Sequence, residues 1–493
     1  MLVILMENSS DVDCNVRFQW YNNKQLYKQN TAQCGGLYLR RGAYSMRAVI
    51  IGAGKIGYNI AETLSQEGHD VFVIEKDEDR RQIVEENLDV QAVLGNGADS
   101  NLLESVNIEE ADLLIAVTES DELNMLACML AGQYGVKKTV ARVRKPEYDR
   151  NNKLAQNPAL NIDLMINPER VAAAEIAKII SVPEAVDVNY YAKGKIMLLE
   201  LLIDKNNPVL NYALKDIRGQ YHFLVAAILR GDTLIIPRGD DQILLDDRIF
   251  LIGRTDQMRE IEKPLGFQRR SIHSVLLVGG SRVAFYLAQL LEKRGLEVKI
   301  IEKDYKHCKY LAGQLNEAII LNGDGSDIDL LQDEGVQDTD LFVALTEDDK
   351  LNILVSLMAK RLGAGKTIAQ VRRSDYLPLI QAVGIDIAIS PRLLTAEAVL
   401  RFVRNSEFLS INVLEKGSAE VYEIILSAGM KRMVNKPIKA LGLPKGILIG
   451  AIFRNNDAII PSGDDVMLPG DRIIIFAAAA VVRKVEHFLR LEV

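Results

Sequence analysis

AVIIGAGKIGYNIAETLSQEGHDVFVIEKD, residues 48–77, decides the fold. An apolar run, AVII, stops at clustered glycines. An amphipathic stretch, YNIAETLSQEG, follows and stops at Gly68, and a second apolar run, DVFVIE, ends in an acid. A buried strand, a tight turn, a helix and a second strand give this rhythm. Gly52, Gly54 and Gly57 make G-A-G-K-I-G. In such a unit the first glycine permits the turn, the second lets the backbone approach a pyrophosphate, and the third lets the helix pack close to the strand. The helix N-terminus then offers unpaired N–H groups and a positive dipole to phosphate. Glu75, ending the second strand, is placed to accept hydrogen bonds from both ribose hydroxyls and to repel a 2′-phosphate, which favours NAD over NADP.

Further apolar runs, DVQAVLGNG and DLLIAVTES, continue the alternation. The βαβαβ order predicts a parallel, doubly wound sheet, whose ligands bind beyond the carboxyl ends of its strands. Gly52, Glu75, Gly95, Thr118 and Arg142 all fall at those ends. The Thr118 hydroxyl has two readings, a contact to ribose or phosphate and an N-cap for the helix of ESDELN. Arg142 has three: neutralising phosphate, bridging subunits, or a surface salt bridge.

The unit returns as SVLLVGGSRVAFYLAQLLEKRGLEVKIIEKD, residues 274–304. Here the glycine slots read Gly279, Ser281 and Ala284, and the acid is Glu302. Ser281 adds a side chain where a pyrophosphate would press, so this copy reads either as a weaker nucleotide site or as a structural one. The correspondence runs on: Thr118 with Thr346, Asn124 with Asn352, Arg142 with Gln370, INPERVAAAEIAKII from Ile166 with ISPRLLTAEAVLRFV from Ile389. LVAAILRGDTLIIPRGDDQILLDDRIFLIG from Leu224 answers LIGAIFRNNDAIIPSGDDVMLPGDRIIIFA from Leu448. The chain is thus one two-part module used twice. The expected class is α/β, with two Rossmann-like doubly wound parallel-sheet domains, each followed by a small α+β C-terminal subdomain. Expected boundaries are 46–183 and 184–263 for the first module, and 272–405 and 406–493 for the second. The RGDD and SGDD turns read as hairpin-like loops whose glycines take positive φ. Solvated turn acids are favoured there over a divalent-ion site.

At 493 residues with 48% hydrophobic and 26% charged residues, the composition is that of a multidomain globular protein. The net charge of −8 lacks the basic balance of a general nucleic-acid binder. IIIFAAAAVV, residues 473–482, is too short to span a bilayer. Cys14, Cys34, Cys128 and Cys308 form no C-x-x-C, and the last two sit in apolar helix patterns, as expected in a reducing cytoplasm. Residues 1–45 hold the only tryptophan, Trp20, and show no sustained period; they read as an extension, either disordered or an artefact of gene calling, before a natural start at Met46, with a regulatory tail as the other reading. None of His69, His222, His273, His307 and His487 stands in a catalytic constellation, and no H-E-x-x-H, G-x-S-x-G or P-loop occurs. The expectation is a non-catalytic protein with no metal site, the rival being a soluble NAD-dependent oxidoreductase.

VIIGAGKIGYNIAETL, VIEKD, GNGADSNLL and AVTESDELNMLACMLA resemble the RCK, or KTN, domain family that regulates potassium channels and transporters. The resemblance implies a cytoplasmic regulatory subunit, peripheral on the inner face of the membrane, under a potassium-translocating partner of the Trk or Ktr type. It implies self-association as a homotetramer giving a ring of eight modules, with NAD(H) and ATP or ADP as ligands that reshape the ring. Carried over by position, the first site is Gly52, Ala53, Gly54, Lys55, Ile56, Glu75, Thr118, Glu119 and Arg142. The second is Gly279, Gly280, Ser281, Arg282, Val283, Glu302, Thr346 and Glu347.

Overall fold

The computed structural model describes residues 46–145, 148, 157–182, 187–217, 223–231, 233–263, 265–266, 272–404, 410–414 and 419–481. The readings made for residues 1–45, Trp20, Cys14, Cys34, His222, His487 and most of the segment joining the modules fall outside them.

In the first module, β1 (Arg47–Ile51), β2 (Asp70–Glu75), β3 (Gln91–Leu94), β4 (Leu113–Ala116), β5 (Lys138–Arg142) and β6 (Leu164–Ile166) form one parallel sheet in the order β3-β2-β1-β4-β5-β6. The order reverses between β1 and β4, so the crevice of a doubly wound sheet opens there. Four helices connect these strands: α1 (Lys55–Gln66), α2 (Glu78–Asn87), α3 (Ser100–Ser105) and α4 (Asp121–Gln133). The first strands are buried on both faces, which explains their unbroken apolar runs. β3 lies at the edge and is half-exposed.

After β6 comes α5 (Pro168–Ser181), begun by Asn167, whose side chain accepts from the Arg170 N–H, and by Pro168 in the first turn. The closing subdomain is a five-stranded sheet in the order β10-β9-β11-β8-β7, from β7 (Asp187–Tyr191), β8 (Ile196–Leu202), β9 (Phe223–Arg230), β10 (Thr233–Ile235) and β11 (Arg248–Arg254). Its pairings are antiparallel. Small helices α6 (Leu214–Ile217) and α7 (Met258–Glu262) accompany it.

The second module repeats the plan. Strands β12 (Ser274–Val278), β13 (Glu297–Glu302), β14 (Ile319–Asn322), β15 (Leu341–Ala344), β16 (Lys366–Gln370) and β17 (Ile387–Ile389) pair in the order β14-β13-β12-β15-β16-β17. The helices are α8 (Arg282–Glu292), α9 (Tyr305–Gln314), α10 (Ile328–Asp333), α11 (Asp349–Leu362), α12 (Leu377–Ala382) and α13 (Pro391–Arg404). Strands β18 (Ser410–Leu414), β19 (Ala419–Ile425), β20 (Ile447–Arg454), β21 (Asp457–Ile459) and β22 (Arg472–Ala478) form the last sheet. The apolar run at 473 is therefore mostly strand β22. Among the described residues no helix is long and apolar enough to cross a membrane.

The RGDD and SGDD loops depart from expectation. Neither Gly239 nor Gly463 takes a positive φ; that role falls to Gly231 and Gly470 nearby. An acid holds each turn instead: Asp241 accepts from the Arg238 N–H and Asp465 from the Ser462 N–H, both at 2.6 Å. Among the described residues no group of three or more His, Cys, Asp or Glu side chains could hold a metal ion.

The two modules exchange helices. α5, which follows the first sheet, buries Ala173, Ile176, Ala177 and Ile180 in one core with Leu287, Ala288 and Leu291 of α8 in the second module. The Arg294 guanidinium donates to the Ala177 carbonyl at 2.6 Å. Reciprocally, α13 lays Ala396, Val399, Leu400 and Val403 into the core of Ile60, Ala61 and Leu64 on α1. A fully buried aliphatic side chain contributes roughly 1.5–3 kcal/mol, so each helix is anchored on the opposite module. The closing sheets also share a core: Tyr191, Leu198, Ala227, Phe250 and Ile252 meet Val421, Ala451, Ile474 and Phe476.

Candidate functional site

Gly52 sits where β1 ends, with φ of +100°, and a Cβ there would lie 3.1 Å from the Thr118 methyl carbon. This position needs glycine both for its backbone and for the close approach of β4. Gly54 has an ordinary φ of −61° and is the N-cap of α1, with no side-chain cap bond. A Cβ on it would meet nothing within 4 Å, because it would point into open space. At Gly57 a Cβ would fall 1.9 Å from the Gly52 carbonyl oxygen, which fixes how closely α1 approaches the strand. Ala53 and Ile56 are buried beneath the loop, and Lys55 is exposed above it.

The Glu75 carboxylate is turned onto this loop. It accepts from the Ala53 N–H at 2.6 Å and from the Lys76 and Asp77 N–H groups at 2.9 and 3.1 Å. A carboxylate has about four acceptor positions, so the carboxylate as it stands has room for one ribose hydroxyl rather than two.

Thr118 does not cap the next helix. Ser120 does, accepting from the Leu123 N–H, and Asp348 replaces Thr346 in the same role in the second module. The Thr118 hydroxyl instead donates to the Asn124 Oδ1 at 2.7 Å, while the Asn124 amide donates to the Thr118 and Arg142 carbonyls. Asn352 does the same with Thr346 and Gln370. Both asparagines are fully buried and staple two strand ends together. They had no assigned role in the sequence; their recurrence beside the paired threonines was the available signal.

Arg142 is not a surface ion pair. One guanidinium nitrogen donates to the Thr118 carbonyl at 3.1 Å, and its buried Nε has no hydrogen-bond partner. Burial, and then neighbouring Arg144, push its pKa below the usual arginine value. Arg144 pairs with Glu169 on the first turn of α5 at 2.5 Å. Its N–H, with that of Lys145, also donates to the buried Asp121 carboxylate. Glu119 is exposed at the rim.

The second loop has the same skeleton and different fittings. Gly279 has φ of +95°, and the Gly280 N–H donates to Glu302 at 2.7 Å, as Ala53 does to Glu75. Ser281, in the place of Gly54, turns its hydroxyl back to accept from the Ala284 N–H at 3.4 Å. The His307 ring sits over the loop, with Nε2 2.7 Å from the Gly280 carbonyl oxygen. It stacks on Tyr310. His307 lies in the first turn of α9, where its N–H donates to the Asp304 side chain, and it also stands in the wall of the site. Arg282 and Glu347 are exposed, and Val283 is buried.

Both loops open into one cleft of about 1630 Å³. Gly52, Gly54, Glu75, Thr118 and Arg142 line one side, and Ser281, His307, Thr346, Gln370 and Arg372 the other. The first turns of the exchanged helices line it too, through Glu169 and Arg392. Carried-over residues from both modules therefore meet in a single space, which no local motif announced, although Gly279, Gly280 and Glu302 are not among those that line it.

Comparison with known proteins agrees with the repeat. The TrkA-N domain family matches residues 48–168 and 275–391, and the TrkA-C domain family matches 198–266 and 421–490. The chain is 40% identical to Trk system potassium uptake protein TrkA homolog 2 of Methanosarcina mazei, over 90% of this chain and 100% of the relative. It is 35% identical to Trk system potassium uptake protein TrkA of Halomonas elongata, over 87% of this chain and 95% of the relative. The solved structure of the GsuK channel bound to NAD shares the fold, with a TM-score of 0.59 and 17% identity over 91% of this chain and 79% of that one.

Proposed function

This chain belongs to the TrkA family, and from that premise we propose that it is a non-catalytic regulatory subunit of potassium uptake, set by nucleotides in the cleft. The observation that carries the proposal is Gly54. A free N-cap with no side-chain partner, on a loop whose missing Cβ opens outward, leaves main chain and dipole for a diphosphate. NAD(H) fits this arrangement: Gly52–Ile56 would carry the pyrophosphate, Glu75 a ribose hydroxyl, and Arg142 an adjoining phosphate or ribose oxygen. ATP or ADP is the second ligand class, using the same loop.

A ligand shifts a conformational equilibrium only by its differential affinity for the two states. Walls drawn from both modules make the cleft suited to that task, because ligand bound between them favours one separation over others. Four copies would complete a ring of eight modules beneath a potassium-translocating membrane protein of the Trk or Ktr type. The chain would thus act from the cytoplasmic face by docking.

Equilibrium titration of the full chain with NADH, NAD, ATP and ADP tests the ligand reading, with saturable binding expected. Co-purification with the membrane subunit, with and without ATP, tests the output. Absence of binding by all four nucleotides would overturn the proposal, and steady consumption of NADH with a panel of carbonyl substrates would replace it with an oxidoreductase.

A further inference from the structure

The two ends of the cleft differ by a reversal of charge. In the first module the first turn of α5 presents Glu169, which pairs with Arg144. In the second, the corresponding turn of α13 presents Arg392, facing Arg372, the counterpart of Arg144. The Arg392 Nη1 donates to the Arg372 carbonyl at 3.3 Å. Arg372 donates to Asp349 through its N–H at 3.0 Å and its Nε at 3.4 Å, and to the Glu347 carbonyl. Asp349 is also spent on the Arg373 N–H. Asp349 therefore meets one guanidinium, that of Arg372, and two main-chain N–H groups, and burial together with Arg372 presses against the charge on Arg392.

Beside this pair lie two polar side chains without partners. Ser390 is 4% exposed and its hydroxyl makes no hydrogen bond; Gln370 is 7% exposed and its Oε1 makes none. Both line the cleft with Arg372 and Arg392. Buried polar atoms are rarely left unpaired without a reason. The Ser390 hydroxyl is free to donate, and rotation of the Gln370 amide presents its NH₂ instead of its oxygen. The N-terminus of α13 adds its dipole.

We propose that the second module carries an oxyanion subsite for a phosphoryl group, held by Arg372, Arg392, Ser390 and Gln370, where the first module supplies its own carboxylate, Glu169. The subsite rests on the cleft being a ligand site, but not on NAD being the ligand. The phosphoryl group is either free phosphate or the terminal phosphate of a nucleotide lying in the cleft.

The test is calorimetric titration of the full chain with inorganic phosphate, ADP and NADH. Arg392→Glu recreates the arrangement of the first module and is expected to weaken the phosphoryl ligand at least about tenfold, leaving NADH at the first loop unchanged. Arg392→Gln, which adds no charge, should weaken it less, and Ser390→Ala only a few-fold; a thermal melt of each variant separates loss of binding from loss of fold. Phosphate binding that competes with ADP identifies one shared subsite. Binding by ADP alone, sensitive to Arg392, assigns it to the nucleotide. Wild-type affinity for phosphate and ADP in both Arg392 variants, or binding of neither by the wild type, overturns the inference. Failure of NADH to bind the first loop would count against the proposed function and leave this subsite standing.

Discussion

The glycine loops of the two modules are the same backbone put to different ends. Each begins with a positive-φ glycine and is held by an acid from the neighbouring strand. In the first, the N-cap of the helix is bare; in the second, Ser281 caps the helix itself and His307 lies across the turn. Relative to glycine a serine N-cap contributes only a few tenths of a kcal/mol to its helix, and it does so by engaging an N–H that a phosphate would otherwise receive. The second loop has thus exchanged part of its ligand surface for internal stability, while the arginines at the far end of its cleft remain.

The contrast can be broken most forcefully at Gly54. Gly54→Asp sends a carboxylate into the space meant for a diphosphate, and like charges in contact cost several kcal/mol. NADH affinity should fall about a hundredfold or more, with the circular dichroism spectrum unchanged because a Cβ at this position meets nothing within 4 Å. Retained affinity would remove the loop from the site. Next in size is Gly57→Ala, whose Cβ collides with the Gly52 carbonyl. It should destabilise the chain by about 1–3 kcal/mol in denaturant melts, although Ala284 occupies the corresponding place in the second module without exposure.

Ser281→Gly sharpens the comparison from the other side. It should change stability by only a few tenths of a kcal/mol and raise NADH affinity at the second loop several-fold, seen as a second set of sites in the titration. The smallest effect is in thiol reactivity. Burial pushes the Cys128 thiol up to about 12, whereas Cys308, beside the second loop and donating to the Glu302 carbonyl, is raised less. Both stay protonated at pH 8, so alkylation of the folded chain should be slow. As pH rises, Cys308 ionises and reacts first, and nucleotide in the cleft should slow Cys308 alone. Equal rates at the two cysteines would contradict the burial difference.

Much of this was legible from residues alone, because strand, turn and helix leave local marks. Gly52 and Gly57 announced a turn and a close contact, and the fold has both; at Gly54 the open space is present, and its use by a pyrophosphate belongs to the proposed function. The closing strands β8, β9 and β11 carry apolar runs between turns, whereas β7, DVNYY, is half polar and lies on an edge, so its residues do not announce a strand. The role of Thr118 misled, since a hydroxyl before a helix reads as a cap; Ser120, two residues on, is better placed. Arg142 gave no sign of burial, because burial depends on what the rest of the fold places above it. The partner of α5 was also hidden. An apolar helical face specifies that it will be covered, but not by which module.

That exchange has a consequence for how the protein can be divided. Each half furnishes a wall that the other lacks, so a protease nicking the segment between modules would leave two fragments clasped rather than two free proteins. A gene truncated to a single half would yield a chain with an open flank, which a second copy of itself is the natural thing to close.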